Sequence, residues 1–213
     1  MSNSKLMIFS CIFMLVLASS AFAADGVYIS GNAGAQILND SDLTSSAVPG
    51  VTVEAEYDTG YVLTAALGFN FGNFDAGNVR VEVEGSYRES EIDTLSSSGL
   101  SVPASAEVSA FSIMGNVFFD IKTNSALNPY VGGGIGIAMI DVDTFSIVGV
   151  AIPGKEDDDV FAYQLGGGIG YAVNDKVTID LGYRYFATTD PEFGLVTAEY
   201  GSHTIIAGLR LHL

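Results

Sequence analysis

Two histidines, one acidic run and two glycine clusters are the places in this 213-residue chain where residue type and spacing could site chemistry. Hydrolysis or group transfer needs a nucleophile or an activated water beside a histidine that a carboxylate orients. In an extended segment alternate residues point to opposite faces, so His203 turns away from its neighbours Ser202 and Thr204, and His212 stands at the end of the chain. No Ser-His-acid arrangement follows, and His203 reads as an interfacial residue. The run Glu156-Asp157-Asp158-Asp159 offers the carboxylate oxygens that Ca²⁺ or Mg²⁺ requires, but it lacks the interleaved Asp, Asn and Gly of a dedicated cation loop and reads as a solvated charge run. Gly132-Gly133-Gly134 and Gly166-Gly167-Gly168 lie within alternating segments and open no helix, which argues against a phosphate-cradling loop. These residues predict no catalytic group, no cofactor or metal site, and no enzyme.

The remaining charges are more informative. Arg80, Glu82, Glu84, Arg88, Asp120, Asp180, Arg184 and Arg210 all share one parity within their segments, and they include every arginine of the chain. Such uniformity predicts a buried network whose members pair across strands, with Asp180 and Arg210 one expected pair. Its role is structural.

The elements that must hold this network are strands. From Asp159 to Phe186 two alternating runs meet at Asn174-Asp175, a tight hairpin. In the second run Val177, Ile179, Leu181, Tyr183 and Tyr185 oppose Thr178, Asp180, Gly182, Arg184 and Phe186. The same alternation recurs over residues 26–37, 60–71, 79–88, 108–121, 129–141 and 201–213, giving eight strands. Long polar connections, at residues 38–58, 89–106, 142–158 and 188–200, follow strands one, three, five and seven. Short turns follow strands two, four and six. Each strand matches the 9–11 tilted residues that cross a bilayer, and Tyr and Phe sit at both ends of its apolar face, as membrane interfaces select.

A soluble eight-stranded barrel shows the same alternation, but its polar face would be a solvated one, rich in Lys and Glu. Here that face carries mainly Gly, Ala, Ser, Thr and Asn, and the chain has only 8 Lys and Arg. Small residues suit the narrow lumen of an eight-stranded barrel, which holds only side chains. An outward charge at mid-bilayer would cost about 2–4 kcal/mol. The sequence is therefore expected to form an all-β, eight-stranded antiparallel transmembrane barrel of meander topology.

At the N-terminus, Lys5, an apolar core from Leu6 to Ala18 and the A-x-A site Ala21-Phe22-Ala23 predict a signal peptide over residues 1–23, leaving residues 24–213 as the barrel domain. Cys11 lies inside the leader, with apolar residues continuing beyond it, which rules out lipidation at that cysteine and leaves the mature chain without disulfides. Without Lys5, 7 basic residues face 25 acidic ones, a net charge of −18 that excludes nucleic acid as a partner.

Pro129-Tyr130-Val131-Gly132-Gly133-Gly134-Ile135-Gly136, Leu181-Gly182-Tyr183-Arg184-Tyr185 and Gly208-Leu209-Arg210 resemble the small eight-stranded outer-membrane β-barrels of Gram-negative bacteria, the opacity-protein and surface-antigen group related to the OmpA transmembrane domain. The likeness spans the mature chain. It departs from the family's pattern in the terminal Leu213, where a Phe is usual, and in having no peptidoglycan-binding domain after the barrel. The resemblance implies an outer-membrane scaffold that presents four acidic loops as a surface antigen or adhesin, with a narrow channel and a lipid A-modifying enzyme as alternatives. Expected partners are outer-membrane lipids and lipopolysaccharide, the barrel-assembly machinery during insertion, and a host or surface ligand at the loops. The barrel is expected to be a monomer.

Overall fold

The computed structural model describes residues 26–39, 41–45, 52–97, 100–147, 150–152, 156–193, 196–197 and 200–213. The leader assigned to residues 1–23 lies outside them. Among the described residues every regular element is a strand: β1 (Val27–Leu38), β2 (Ser41–Ser45), β3 (Thr52–Tyr57), β4 (Gly60–Asn73), β5 (Gly77–Ser97), β6 (Leu100–Ile121), β7 (Leu127–Ile147), β8 (Val150–Ile152), β9 (Glu156–Ala172), β10 (Val177–Thr188), β11 (Glu192–Phe193), β12 (Val196–Thr197) and β13 (Gly201–His212).

Eight of these form a closed ring of antiparallel neighbours. The order runs β1-β4-β5-β6-β7-β9-β10-β13, and β13 returns to β1 through the register Tyr28↔His212 to Leu38↔Ser202. Closure leaves no unpaired edge among the eight, as a barrel in lipid requires, because hydrocarbon offers no partner to a free N–H or C=O. The expected eight-stranded meander is the observed fold.

Alternation sorts the two faces. Outward, Ile205 is 64%, Leu165 63%, Ile135 62% and Val83 61% exposed, whereas inward Gln36, Glu84, Ser86 and Ser112 are 0% exposed. A water-soluble protein would reverse that order. Outward aromatics stand at the ends of the apolar band: Phe69 and Phe71, in edge-on contact at 5.1 Å, beside the short turns, and Tyr61, Phe161, Tyr163 and Tyr183 toward the opposite end.

Local chemistry explains the short turns. Asn174 Oδ1 accepts from the backbone N–H of Lys176 at 2.9 Å and of Val177 at 3.0 Å, which is how an Asx side chain closes a tight reversal. Between β4 and β5 the Phe74 N–H donates to the Gly77 carbonyl at 2.8 Å, and Gly72 enters that turn at φ +77°, in the left-handed region that glycine tolerates.

The long connections are not the loops their composition suggests. Residues 38–58 contain the end of β1 and the hairpin β2–β3; 89–106 continue β5 and β6 as far as the pair Ser97↔Leu100; 142–158 extend β7 and β9 and add β8; 188–200 contain β11 and β12. β5, β6 and β7 run 21, 22 and 21 residues, about twice a bilayer crossing. The apolar–polar alternation fades where the lipid ends, since the outward face then meets water while Ser90 and Ile92 stay buried inside. The backbone ladder needs no apolar face and carries on.

These two ends should be separable on living cells. In a Cys11→Ser background, Ser97→Cys is expected to react with a membrane-impermeant maleimide on intact cells and Asp175→Cys only after lysis. Labelling of Asp175→Cys alone would invert the topology.

Candidate functional site

The lumen is where the inward side chains meet, and it is built in three levels. Nearest the short turns, Arg80 from β5 donates through Nε to Asp120 Oδ2 at 2.7 Å and through Nη1 to Glu82 Oε1 at 2.6 Å. Tyr28 from β1 donates its hydroxyl to the same Glu82 oxygen at 2.6 Å. On the facing wall Arg210 from β13 takes Asp180 from β10 in a bidentate grip, Nη2 to Oδ1 at 2.5 Å and Nε to Oδ2 at 3.2 Å. Arg210 Nη1 lies 3.8 Å from Asp120 Oδ2, joining the two groups. The Arg80 guanidinium also lies 4.9 Å from the Phe118 ring and 5.2 Å from that of Tyr130.

At mid-height Arg184 from β10 pairs with Glu84 from β5 across the lumen. Gln164 Nε2 donates to Glu84 Oε1 at 3.2 Å and to Asn116 Oδ1 at 2.7 Å, so the carboxylate is held from two sides. Toward the long hairpins the filling becomes apolar: Leu38, Ile92, Val108, Met114, Ile140, Val160, Phe186 and Tyr200 belong to one buried cluster. Arg88 enters it with its guanidinium 3.8 Å over the Phe186 ring.

Glycines of the two clusters make room for this filling. A Cβ placed at Gly168 or at Gly182 would lie 2.6 Å from the Tyr130 hydroxyl oxygen, and one at Gly166 would lie 2.9 Å from Arg184 Cγ. The glycine-rich strands are thus the wall against which Tyr130 and Arg184 lie.

Free space narrows steeply along the axis. At the short-turn end a vestibule of about 420 Å³ is lined by Asn70, Asn78, Asp120, Asn128, Arg210 and His212. Behind it, beside Arg80, Glu82, Tyr130 and Arg184, a void of about 10 Å³ remains.

All eight charged residues singled out in the sequence point inward, and Asp180 meets Arg210 as the strand order suggested. Arg88 alone has no carboxylate in ion-pair contact among the described residues. The apolar level was missed, although Val108, Ile140 and Val160 have inward parity within the strands drawn from sequence and Ile92 continues it beyond the third. Among the described residues neither histidine touches a carboxylate: His203 Nδ1 lies 2.6 Å from the Tyr183 hydroxyl, and His212 Nε2 lies 3.5 Å from Thr178 Oγ1. Among the described residues no group of three or more His, Cys, Asp or Glu could hold a metal.

Two substitutions test this filling. Arg184→Met leaves Glu84 buried without its cation and should destabilise the barrel by about 3–5 kcal/mol, read from the temperature at which gel mobility shifts; adding Glu84→Gln should recover most of it. Gly182→Val should lower the same midpoint by displacing Tyr130, and Tyr130→Phe alongside it should relieve part of the clash.

Comparison with known proteins agrees with this architecture. Residues 9–212 match the family described as outer membrane protein beta-barrel domain. Among solved structures, the chain is similar to Neisserial surface protein A of Neisseria, with 20% identity, a TM-score of 0.53, and coverage of 90% of this chain and 100% of that one. It is also similar to the outer membrane protease OmpT of Escherichia coli, with 9% identity, a TM-score of 0.54, and coverage of 90% and 98%. At these identities the likeness is one of fold. No curated protein sequence matches the chain. The match across residues 9–212 shows that the chain belongs to the outer-membrane protein β-barrel family, whose place is the outer membrane of Gram-negative bacteria.

Proposed function

We propose that this barrel is a sealed, non-enzymatic scaffold whose work is done by the hairpins it holds outside the membrane. The observation that carries this reading is the filled lumen: the axis closes from a vestibule of about 420 Å³ to a void of about 10 Å³ at the Arg80–Glu82 level, with the Arg184–Glu84 pair and the apolar level above it.

Charge supports it. The lumen holds four arginines against Glu82, Glu84, Asp120 and Asp180 and is neutral as a whole. Residues 39–59, 89–107, 141–159 and 188–200 contain 18 of the 25 acidic residues and one base, Lys155, a balance of −17. The charge of the mature chain is thus concentrated in the segments that join the strands on one side. Such a surface suits contact with a cationic partner or with cation-bridged lipopolysaccharide, as in a surface antigen or adhesin. The chain is proposed to act as a monomer held by outer-membrane lipids after delivery by the assembly machinery.

Purified barrel in planar bilayers should show no steady conductance, and cells expressing a chain shortened at residues 93–104 should keep the barrel yet lose the surface contact that full-length protein confers. Steady channels from the intact protein, with surface contact unaffected by the shortening, would replace the scaffold by the narrow channel.

A further inference from the structure

On each strand of the ring, the outward residue that follows the apolar band toward the long hairpins stands where lipid tails give way to headgroups. On β5, β7 and β9 that residue is a carboxylate: Glu89 after Tyr87, Asp141 after Met139 and Asp159 after Phe161. On β13 it is His203, after Ile205, which is 64% exposed on the lipid side. Its neighbours across the two ladders are Tyr185 on β10 and Ile37 on β1. No carboxylate points outward from β10, β13 or β1 among the described residues, and no Lys or Arg does so at this end of the barrel. His203 is therefore the group in this sector of the wall that can carry a positive charge.

The imidazole is fixed by its neighbours. Nδ1 lies 2.6 Å from the Tyr183 hydroxyl, and the ring stands 6.0 Å from that of Tyr183, inclined at 27°, and 5.1 Å from that of Tyr185. With the Tyr183 hydroxyl donating to Nδ1, the ring proton is on Nε2, which has no hydrogen-bond partner among the described residues. One outward position further along β13, Gly201 leaves a notch: a Cβ there would lie 3.1 Å from Asn39 Nδ2 and 3.4 Å from the Tyr185 hydroxyl oxygen. An imidazole, a carboxamide and a phenol, each able to donate, thus border one recess that no carboxylate enters. Such a set suits an oxyanion. Tyrosine rings at headgroup level also give a sugar an apolar face to lie against, and the Tyr183 ring is exposed there.

We propose that His203, Asn39, Tyr183 and Tyr185 form a site on the outer wall of the barrel for the phosphorylated glucosamine headgroup of lipopolysaccharide, with His203 Nε2 donating to the phosphate. The carboxylates on β5, β7 and β9 repel the same phosphate, so one sector of the circumference is selected. The site names the lipid that the scaffold reading leaves general, and it rests on that reading only for the membrane level of His203.

The test is thermal unfolding of the detergent-solubilised full barrel, followed by its gel mobility, with added lipid A carrying both phosphates, lipid A stripped of them, or phosphatidylglycerol. The native protein should melt about 3–5 °C higher with phosphorylated lipid A than with either other lipid. His203→Leu, apolar like Ile205 and Ile37 beside it, should remove most of that difference, and Asn39→Leu should reduce it and serves if His203→Leu does not fold. Each difference is read within one protein, so a change in basal stability cancels. Equal melting with the three lipids, or a difference unchanged in both variants, would overturn the proposal, and either result would leave the expected absence of conductance, and with it the scaffold, untouched.

Discussion

A charge cannot face hydrocarbon cheaply, and that constraint orders the whole molecule. At about 2–4 kcal/mol for each basic side chain at mid-bilayer, four arginines turned outward would consume the stability of an ordinary domain. All four are turned inward. Once there they need counter-charges, and because a lumen of eight strands has room only for side chains, Arg80, Arg184 and Arg210 meet carboxylates from other positions on the wall. The lipid-facing surface can then be uniformly apolar, and the closed ladder between β1 and β13 follows from the same lack of water to satisfy an edge.

Volume is the second constraint, and it explains why the chain is rich in glycine. Large inward side chains, Tyr28, Phe118, Tyr130 and the arginines, are placed opposite positions with none. Tyr130 lies over Gly168 and Gly182, Tyr28 over Gly68, and Phe118 over Gly132. Glycine normally weakens a strand because it packs nothing and frees the unfolded backbone. Here its missing Cβ is the space in which the ion-pair network is held, so stability lost in the strand is offset by what fits against it.

Parity made the fold legible in the sequence, and it made the network legible too: Arg80 through Arg210 could be assigned to the lumen because period two leaves only two faces to choose from. Parity says nothing about height, so the matching of Arg184 to Glu84, 100 residues apart, needed the register of the closed sheet. The upper apolar level escaped at Ile92 because the third strand was ended at Arg88, where the outward face ceased to be apolar, although Ile92 keeps the inward parity. Val108, Ile140 and Val160 lay inside the strands, and parity alone does not say that they meet at one height. The hairpin extensions escaped for a related reason: serine, threonine and glutamate on both faces resemble a loop, and only the backbone ladder distinguishes the two.

That ladder gives the outer surface a mechanical character. The pairing of β4 with β5 ends at Tyr61↔Glu89, whereas β5 stays paired with β6 as far as Ser97↔Leu100. At about 3.3 Å per residue, the eight further steps lift the tip some 26 Å along the strand beyond that level. A flexible loop of the same length would have to be ordered by whatever it bound, and each immobilised side chain would subtract from the affinity. Held as a paired strand, the segment meets a partner already shaped. Its reach is a fixed distance set by the number of residues in the ladder, and lengthening or shortening β5 and β6 together by two residues would move the point of contact while leaving inward and outward faces unchanged.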